Sequence, residues 1–209
     1  MKIQSVSENL QSTLANEVPE LMWATGPVSY DYHFACRALF DAVVLGSWHM
    51  VGTLFAADVA TLALDDEHLM GIEIGMPGAE YRQRQTALAP VWQPLLAAGE
   101  VDEEAVAGVL ERSQHASWLN PVIPENAYYI HALSVKPEFR GKRVGYHLIE
   151  NAMTKAREQG FTKLHLDVLS DNPAVEFYRG IGLEVLAETR APLPSAFGVP
   201  PELRMGVKL

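Results

Sequence analysis

The sequence predicts a single α/β domain over residues 1–209, built around one strand, one basic loop and one helix in its C-terminal half. Residues 128–135 form an apolar run rich in aromatic and β-branched side chains, which is typical of a buried strand. From Val144 the apolar side chains recur at helical spacing until Gly160, a common helix stop. Residues 163–169 then alternate between apolar and polar side chains, as a strand does. A strand, a helix and a strand joined by a right-handed crossover predict that these two strands are parallel neighbours.

The N-terminal part of the chain adds further strands and helices to this unit. Residues 2–6 predict a short strand, and a helix follows the N-capping sequence Ser-Glu-Asn. A second helix is predicted over about residues 30–44, and two strands over 59–64 and 69–76 are joined by a polar turn. In the second of these strands Glu73 lies opposite the apolar side chains, flanked by glycines. We expect Glu73 to be solvated, with a role in substrate binding or proton transfer as the alternative.

Residues 80–118 predict two helices that are separated near Gly99, the second starting with an acidic first turn. Their apolar side chains need a partner. Two roles are open for this segment: a cover over an acceptor site, or the contact between two copies of the chain in a homodimer. Towards the C-terminus we predict a helix over 174–179, and strands over 184–190 and 203–208 that flank a proline-rich loop.

Composition argues against several classes of protein. The formal net charge of −10 disfavours nucleic acid as the main partner. The chain has no apolar run of membrane-spanning length and its first residues lack the apolar core of a signal peptide, so we expect no membrane partner and a cytoplasmic location. Cys36 is the single cysteine, which excludes an internal disulfide, and we expect it to be a buried small side chain.

The charge is unevenly distributed along the chain. Residues 1–120 carry 5 Lys and Arg against 16 Asp and Glu, whereas residues 121–209 carry 11 against 10. This split is compatible with an anionic cofactor bound by the C-terminal half and a cationic substrate approaching the N-terminal half. Ordinary solubility charge is the alternative explanation.

The loop between the central strand and its helix has the composition of an anion-binding site. Its residues are Arg140, Gly141, Lys142, Arg143, Val144 and Gly145. A helix start presents unpaired N–H groups and the positive end of the helix dipole. The glycines let the backbone approach a ligand, and the basic side chains add positive charge. We interpret the loop as a pyrophosphate cradle, with an exposed basic turn as the alternative.

Two common nucleotide motifs do not fit this loop. A P-loop requires Ser or Thr after its lysine, but Lys142 is followed by Arg143. A Rossmann fingerprint requires G-x-G-x-x-G after a strand, and Gly141 and Gly145 do not have that spacing. The anion site therefore belongs to another class of fold.

The loop resembles motif A of the GNAT acyltransferases, Q/R-x-x-G-x-G/A, with Arg143 where the family usually has its first glycine. A second stretch, over residues 171–183, resembles the other GNAT signature, N-x-x-A-x-x-F/L-Y-x-x-x-G-F/L. Phe177, Tyr178, Gly182 and Leu183 match its last four fixed positions, and Asn172 and Val175 lie one residue after the positions of its asparagine and alanine. Each signature alone is weak, but both in order with a strand between them are specific. The resemblance covers residues 128–183, whereas residues 1–79 fit the family only by element order.

The resemblance implies the GNAT acyl-CoA N-acyltransferase fold. Its central sheet is mixed, mostly antiparallel and splayed in a V, with helices on both faces. Residues 80–118 would then be a helical insertion before the central strand. Acetyl-CoA would lie in the V as a co-substrate, and no metal is implied. The family's mode of binding would pair backbone groups of Leu133, Ser134 and Val135 with the pantetheine arm, and hold the pyrophosphate on the N–H groups of the loop. Asn172 would bond the pantetheine side, or serve as a helix cap.

The resemblance also implies roles in transfer of an acetyl group to a primary amine of a small molecule or peptide. Tyr178 matches the family's usual general acid, and a phenol is protonated at neutral pH; a core aromatic is its alternative role. His131 is the best candidate for the base, because imidazole titrates near neutral pH. Residues 129–135 resemble the H-L-H-A-L-A-V strand of arylalkylamine N-acetyltransferases, with Tyr129 at the first histidine. Tyr129 and Glu73 are reserve candidates for the base.

No activated nucleophile is evident, so we expect direct attack by the amine in a ternary complex rather than an acyl-enzyme. Two alternative functions remain open on the sequence alone. One is a CoA-binding sensor without turnover, and the other is a protein-directed acetyltransferase that docks its target on residues 80–118.

Overall fold

The computed structural model describes residues 1–119 and 122–209 and places a mixed sheet at the centre. Its strands in these residues are β1 Lys2–Ser5, β2 Ala60–Asp65, β3 His68–Pro77, β4 Ala127–Val135, β5 Lys163–Leu169, β6 Glu184–Thr189 and β7 Glu202–Lys208. Its helices are α1 Glu8–Leu14, α2 Val18–Trp23, α3 Pro27–Phe34, α4 Arg37–Trp48, α5 Tyr81–Thr86, α6 Trp92–Ala98, α7 Glu103–His115, α8 Val144–Glu158, α9 Ala174–Gly180 and α10 Pro192–Phe197. Among these helices none has the length and apolar character needed to cross a bilayer.

The sheet confirms the predicted fold class. The strand order is β1-β2-β3-β4-β5-β7-β6. Neighbouring strands are antiparallel, except for β4 and β5, which are parallel. The parallel pair is the one predicted from the strand, helix and strand order, because α8 carries the chain from the end of β4 back to the start of β5.

The parallel strands separate before they end. Their pairing runs from Ala127 opposite Lys163 to Ile130 opposite Leu166, although β4 and β5 both continue beyond it. On its other edge β4 stays paired with β3 as far as Val135. A V-shaped gap therefore opens, and the edge of β4 that faces β5 leaves the sheet ladder after Ile130.

Helices pack on both faces of the sheet and form two main clusters of buried side chains. Beneath α8 the cluster includes Tyr128, Ile130, Ile149, Ala152, Leu164 and Leu166. On the opposite face it includes Phe40, Trp48, Ile72, Ile74, Trp92, Val109 and Ala132. Burial of these apolar surfaces on both sides explains why the central strands read as nearly continuous hydrophobic runs.

The helical segment before β4 contains the predicted break. Gly99 ends α6 in the left-handed conformation with φ 70°, and the Asp102 side chain accepts a hydrogen bond of 2.7 Å from the backbone of the first turn of α7. The part before Gly99 is two short helices rather than one, since a 3₁₀ turn at Ala89–Val91 separates α5 from α6. Trp92 and Val109 anchor the segment in the core.

Two sequence-based expectations for the N-terminal half were wrong. Residues 30–44 form two helices, because Ala35 takes a left-handed conformation with φ 55° between α3 and α4. This break brings Phe34 and Phe40 to 5.2 Å between ring centroids, whereas a continuous helix would place them on different sides. Cys36, expected to be buried, is exposed; it occupies the N-cap position of α4, but its side chain makes no capping hydrogen bond.

The expectation that Glu73 is solvated was also wrong. Its side chain is 0% exposed and lies under α8, beside the ring of Tyr128. A Cβ atom on Gly75 would stand 2.0 Å from Glu73 Oε1, so the space that the glycine leaves is filled by the carboxyl group itself. Neither carboxyl oxygen has a hydrogen-bond partner among the residues that the structure describes.

Candidate active site

A cavity of about 2200 Å³ extends through the gap between β4 and β5. Pockets for single small ligands usually measure about 300–1,000 Å³, so this volume has room for two ligands side by side. On the α8 face the wall includes the loop before α8 and part of α9, and on the opposite face it includes parts of α3, α5 and α7.

Most of the residues predicted for the site lie together on this wall. They are Tyr129, His131, Leu133, Ser134, Val135, Arg140, Gly141, Arg143, Val144, Gly145, Asn172 and Tyr178. Lys142 does not line the cavity; its Nζ lies 5.1 Å from the centroid of the Phe139 ring. Glu73 is also absent from the wall, because it lies under α8.

The loop before α8 is shaped by two left-handed residues. Gly141 has φ 75°, and Arg143, the N-cap residue of α8, has φ 63°. A left-handed conformation is unfavourable for arginine, but its guanidinium carbon lies 4.8 Å from the Tyr146 ring centroid, a stabilising cation–π contact. No side chain caps α8, so its first N–H groups remain available to a ligand.

Gly145 is the point where a side chain would enter the gap. A Cβ atom there would lie 3.5 Å from Phe177, 3.6 Å from Val135 and 3.8 Å from Leu133, all ordinary contact distances. The protein itself therefore tolerates a small side chain at Gly145, but that side chain would occupy the space between β4 and α9.

Positive charge completes this side of the cavity. Arg140 donates a hydrogen bond of 3.2 Å from Nε to the carbonyl of Val135, which fixes the start of the guanidinium beside the end of β4. Together with Arg143 and the amide groups of α8, it forms a donor set that suits an anionic diphosphate. These residues thus fit the diphosphate of the CoA co-substrate implied by the sequence.

His131 occupies an irregularity in β4. Ile74 of β3 lies opposite Ala132, and the next residue, Gly75, lies opposite Ile130, so His131 has no partner across the strands. A bulge of this kind bends a strand and redirects the side chain of the extra residue. The sequence contains no turn or glycine within β4 that would have predicted this bulge.

The ring of His131 lies on the cavity wall between two other aromatic rings. Its centroid is 5.3 Å from that of Phe55 and 5.8 Å from that of Tyr81. Its Nε2 atom is buried without a hydrogen-bond partner among the described residues. Burial lowers the pKa of His131 to about 4, so the ring is neutral at pH 7.

Two candidate site residues are positioned by α9: Asn172 just before its start and Tyr178 within it. Asn172 Oδ1 accepts a hydrogen bond of 2.9 Å from the N–H of Ala174, the first residue of α9, so it satisfies an amide at the helix start although Pro173 is the residue that directly precedes the helix. Tyr178 is 6% exposed and packs in the cluster beneath α8 while reaching the cavity wall. Burial raises the pKa of Tyr178 above its ordinary value, so its hydroxyl keeps its proton.

Tyr129 belongs to a polar network that the sequence did not reveal. Its hydroxyl donates a hydrogen bond of 2.9 Å to Asp167, and Arg204 binds the same carboxylate with bonds of 2.5 and 2.7 Å. Asp167, Tyr81 and Glu202 also line the cavity. The polar face of β5 gave a signal for Asp167, but nothing in the sequence pointed to Tyr81 or Glu202. No group of side chains suited to a metal ion occurs in the described part of the chain.

Comparisons with known proteins agree with this geometry. Residues 64–183 match the model of the acetyltransferase (GNAT) family. An uncharacterized N-acetyltransferase of Methanocaldococcus jannaschii is 33% identical over 69 residues, which are 32% of this chain and only 30% of that relative. The crystal structure of an acetyltransferase has a TM-score of 0.70 at 16% identity, covering 100% of this chain and 99% of the other.

An N-acetyltransferase from Staphylococcus aureus Mu50 has a similar fold, with a TM-score of 0.69 at 13% identity, covering 99% of this chain and 100% of the other. At such identities the structural likeness shows the fold alone. The family match spans more than half of the sequence, including both signatures and the strands that enclose the gap. The chain therefore belongs to the GNAT family of acetyltransferases.

Proposed function

We propose that this protein transfers the acetyl group of acetyl-CoA to a primary amine, with both substrates bound together. The observation that carries the proposal is the continuous cavity, which joins the cradle before α8 to His131 through the gap between β4 and β5. Such a cavity would hold acetyl-CoA on one face of the sheet and the amine on the other. The thioester carbon and the amine nitrogen would then meet in the gap.

Acetyl-CoA, when bound, supplies the acetyl group as a thioester. The N–H groups of Val144 and Gly145, with Arg140 and Arg143, would bind its diphosphate. The backbone groups on the open edge of β4 at residues 133–135 would hydrogen-bond its pantetheine arm, which would lie along β4 as an added strand would. The side-chain amide of Asn172 would contact the arm while its oxygen caps α9.

Tyr178 acts in this proposal as the general acid. Its hydroxyl is protonated at working pH because burial raises its pKa. A thiol has a pKa near 8.5, so the phenol is the weaker acid; its hydroxyl would stabilise the departing thiolate by a hydrogen bond and pass on its proton as the C–S bond breaks, and solvent would reprotonate the phenolate. The position of Tyr178 on the wall of the gap supports this role.

His131 accepts the proton of the amine in this proposal. It is neutral at all pH values well above 4, and its Nε2 has no described partner that would compete. Because its conjugate acid is strong, the proton must pass on quickly to solvent rather than rest on the ring. The hydroxyl of Tyr129 is engaged as a donor to Asp167, which makes Tyr129 the weaker candidate. Glu73 lies under α8 and away from the cavity, so we assign it no proton transfer.

The acceptor side supports a direct attack by the amine. No serine hydroxyl or cysteine thiol on the described wall is hydrogen-bonded to a histidine, as an acyl-enzyme mechanism would require; the His33 ring bonds only the backbone carbonyl of Ser29. Residues of α5 and α7 line this side, which supports an insertion over 80–118 that covers the acceptor site within a single domain. The acceptor is a small amine or the amine of a peptide.

The proposal is tested by calorimetric titration with acetyl-CoA together with a free-thiol assay over a panel of primary amines. We expect micromolar or tighter binding of acetyl-CoA and release of CoA thiol that depends on the amine. Binding without thiol release for any amine would identify a CoA sensor, and absence of binding would refute the proposal.

Replacing Gly145 with leucine should weaken CoA binding by about tenfold to a hundredfold. The new side chain would fill the gap between β4 and α9, and overfilling a packed space costs about 1–3 kcal/mol, or about tenfold in affinity for each 1.4 kcal/mol. Thr154→Leu, at an exposed position of the same helix, is the control and should bind CoA normally. Equal affinity of the Gly145 variant and the wild type would show that the ligand does not approach this helix start.

A further inference from the structure

Helix α5 forms part of the cavity wall on the acceptor side, although little apolar packing holds it in place. Its residues Tyr81, Arg82, Gln85 and Thr86 line the cavity. None of the six residues that the structure describes in this helix is fully buried. A helix of this length is unstable on its own in water, so contacts with its neighbours must fix its position. The polar contacts of α5 therefore matter more than they would in a helix with a buried face.

Arg84 supplies these polar contacts from a position that does not line the cavity. Its guanidinium donates two hydrogen bonds to the carboxylate of Asp58, of 3.0 and 3.3 Å, and one of 2.9 Å to Glu80. A further bond of 3.4 Å goes to the backbone carbonyl of Thr53. The Arg84 side chain is only 11% exposed. A forked and partly shielded arrangement of this kind is stronger than an ordinary surface ion pair.

The segment that accepts these bonds, residues 53–58, is itself anchored in the core. The hydroxyl groups of Ser47 and Thr53 are both buried and lie 2.7 Å apart in a hydrogen bond. Ser47 Oγ also accepts a bond of 3.0 Å from the N–H of Phe55. The ring of Phe55 is buried and packs against Phe40, with 6.3 Å between the ring centroids. Arg84 therefore connects a loosely packed helix to a fixed part of the core.

The two parts that Arg84 connects each carry an aromatic ring in contact with His131. Tyr81, the first residue of α5, lies 5.8 Å from the His131 ring, and Phe55 lies 5.3 Å from it. Tyr81 also contacts the ring of Tyr129 at 5.1 Å. Because His131 Nε2 has no hydrogen-bond partner among the described residues, no bond at that atom orients the imidazole. A displacement of α5 would thus remove one of the two rings that hold His131.

We infer that Arg84 is a positioning residue for acetyl transfer, because by connecting α5 to residues 53–58 it keeps Tyr81 against His131 and fixes the acceptor wall. The inference rests on the proposed function, since it concerns the same cavity and the same candidate base. Arg84 contacts neither substrate. Its loss should therefore impair the use of the amine and leave the binding of acetyl-CoA, which involves the loop before α8, unchanged.

Arg84→Met tests this assignment, because methionine keeps an unbranched apolar stem and removes the charge and the donors. We expect kcat/KM for a primary amine that the wild type acetylates to fall by about tenfold or more, the scale of losing charge-assisted hydrogen bonds. The calorimetric affinity for acetyl-CoA should equal that of the wild type. Arg84→Lys should retain part of the activity, since an ammonium keeps the charge without the fork. Adding Asp58→Asn to Arg84→Met should cause little further loss, because both changes break the same contact.

Arg37→Met is the matched control. Arg37 also bonds two carboxylates, Asp41 four residues away on its own helix and Glu20 on α2, each at 2.7 Å, and it does not line the cavity. This variant should keep the kcat/KM of the wild type. Equal losses in the Arg37 and Arg84 variants would show a general effect on stability and overturn the inference, as would an unchanged kcat/KM in Arg84→Met.

Hydrogen exchange gives a second readout that needs no turnover. Arg84→Met should speed the exchange of amides in residues 81–88 and leave the amides of α8 as they are in the wild type. Unchanged exchange in residues 81–88 would overturn the inference whatever the kinetics show. If the wild type acetylates no amine, the proposed function fails, and hydrogen exchange still decides whether Arg84 holds α5.

Discussion

Tyr178→Phe is expected to slow acetyl transfer by about a hundredfold to a thousandfold, while acetyl-CoA binds as it does to the wild type. The variant keeps the ring that packs with Val175 and Leu183 beneath α8 and loses only the hydroxyl at the cavity wall. General acid catalysis contributes about 10²–10⁴ to a rate. Single-turnover measurements with saturating acetyl-CoA isolate this step, and calorimetry reports the affinity.

Tyr128→Phe is the matched control for this experiment. Tyr128 belongs to the same buried cluster, its hydroxyl has no hydrogen-bond partner among the described residues, and it does not line the cavity. Its loss should therefore leave the rate of transfer unchanged. Equal rates for Tyr178→Phe and the wild type would remove Tyr178 from the chemistry and return it to the role of a core aromatic.

Glu73→Gln is expected to stabilise the protein at alkaline pH by roughly 3 kcal/mol and to change little below pH 4.5. Burial raises the pKa of Glu73 from 4.5 to about 7, although the charge of Lys155 and the nearby hydroxyl of Thr61 lower it part of the way. The unfolded chain releases this proton near pH 4.5, whereas the folded chain retains it until about pH 7.

The direction of this pH dependence follows from the protons bound. Between pH 4.5 and 7 the unfolded state binds fewer protons at Glu73 than the folded state, so this residue reduces stability as the pH rises, by up to about 1.4 kcal/mol per pH unit. Glutamine cannot ionise and removes the loss. Urea unfolding at several pH values between 4 and 9 measures the difference, with the exposed Glu158→Gln on α8 as the control. A difference between Glu73→Gln and the wild type that does not vary with pH would show that the carboxylate is stabilised by a partner when ionised.

Much of the proposed acetyl-CoA side of the cavity could be predicted from the sequence because its determinants are local. A strand, a glycine-bearing basic turn and an amphipathic helix follow one another within about thirty residues, and each is specified by the spacing of its own side chains. Asn172 was predicted as a helix cap in the same way, since a cap depends on neighbours in the chain, whereas Tyr178 was singled out only by the resemblance to the second GNAT signature. The parallel pairing of β4 and β5 followed from connection rules.

The acceptor side depends on contacts between distant parts of the chain. Tyr30, Tyr81 and Glu202 come from α3, α5 and β7, and no local pattern distinguishes them from ordinary core or surface residues. Glu73 illustrates the same limit: its alternation in β3 was correctly identified, but whether that face met solvent or a helix depended on the packing of α8.

The amino-acid sequence by itself indicated an α/β fold and a basic, glycine-bearing helix start, because these follow from the periodicity and spacing of residues close together in the chain, and two short signatures added the resemblance to the GNAT family. Only the tertiary structure decided where β4 and β5 separate, how the bulge presents His131, and which carboxyl groups are buried away from the cavity or brought to its wall. Those outcomes depend on which surfaces exclude water from one another, and that is a property of the assembled layers rather than of any single segment.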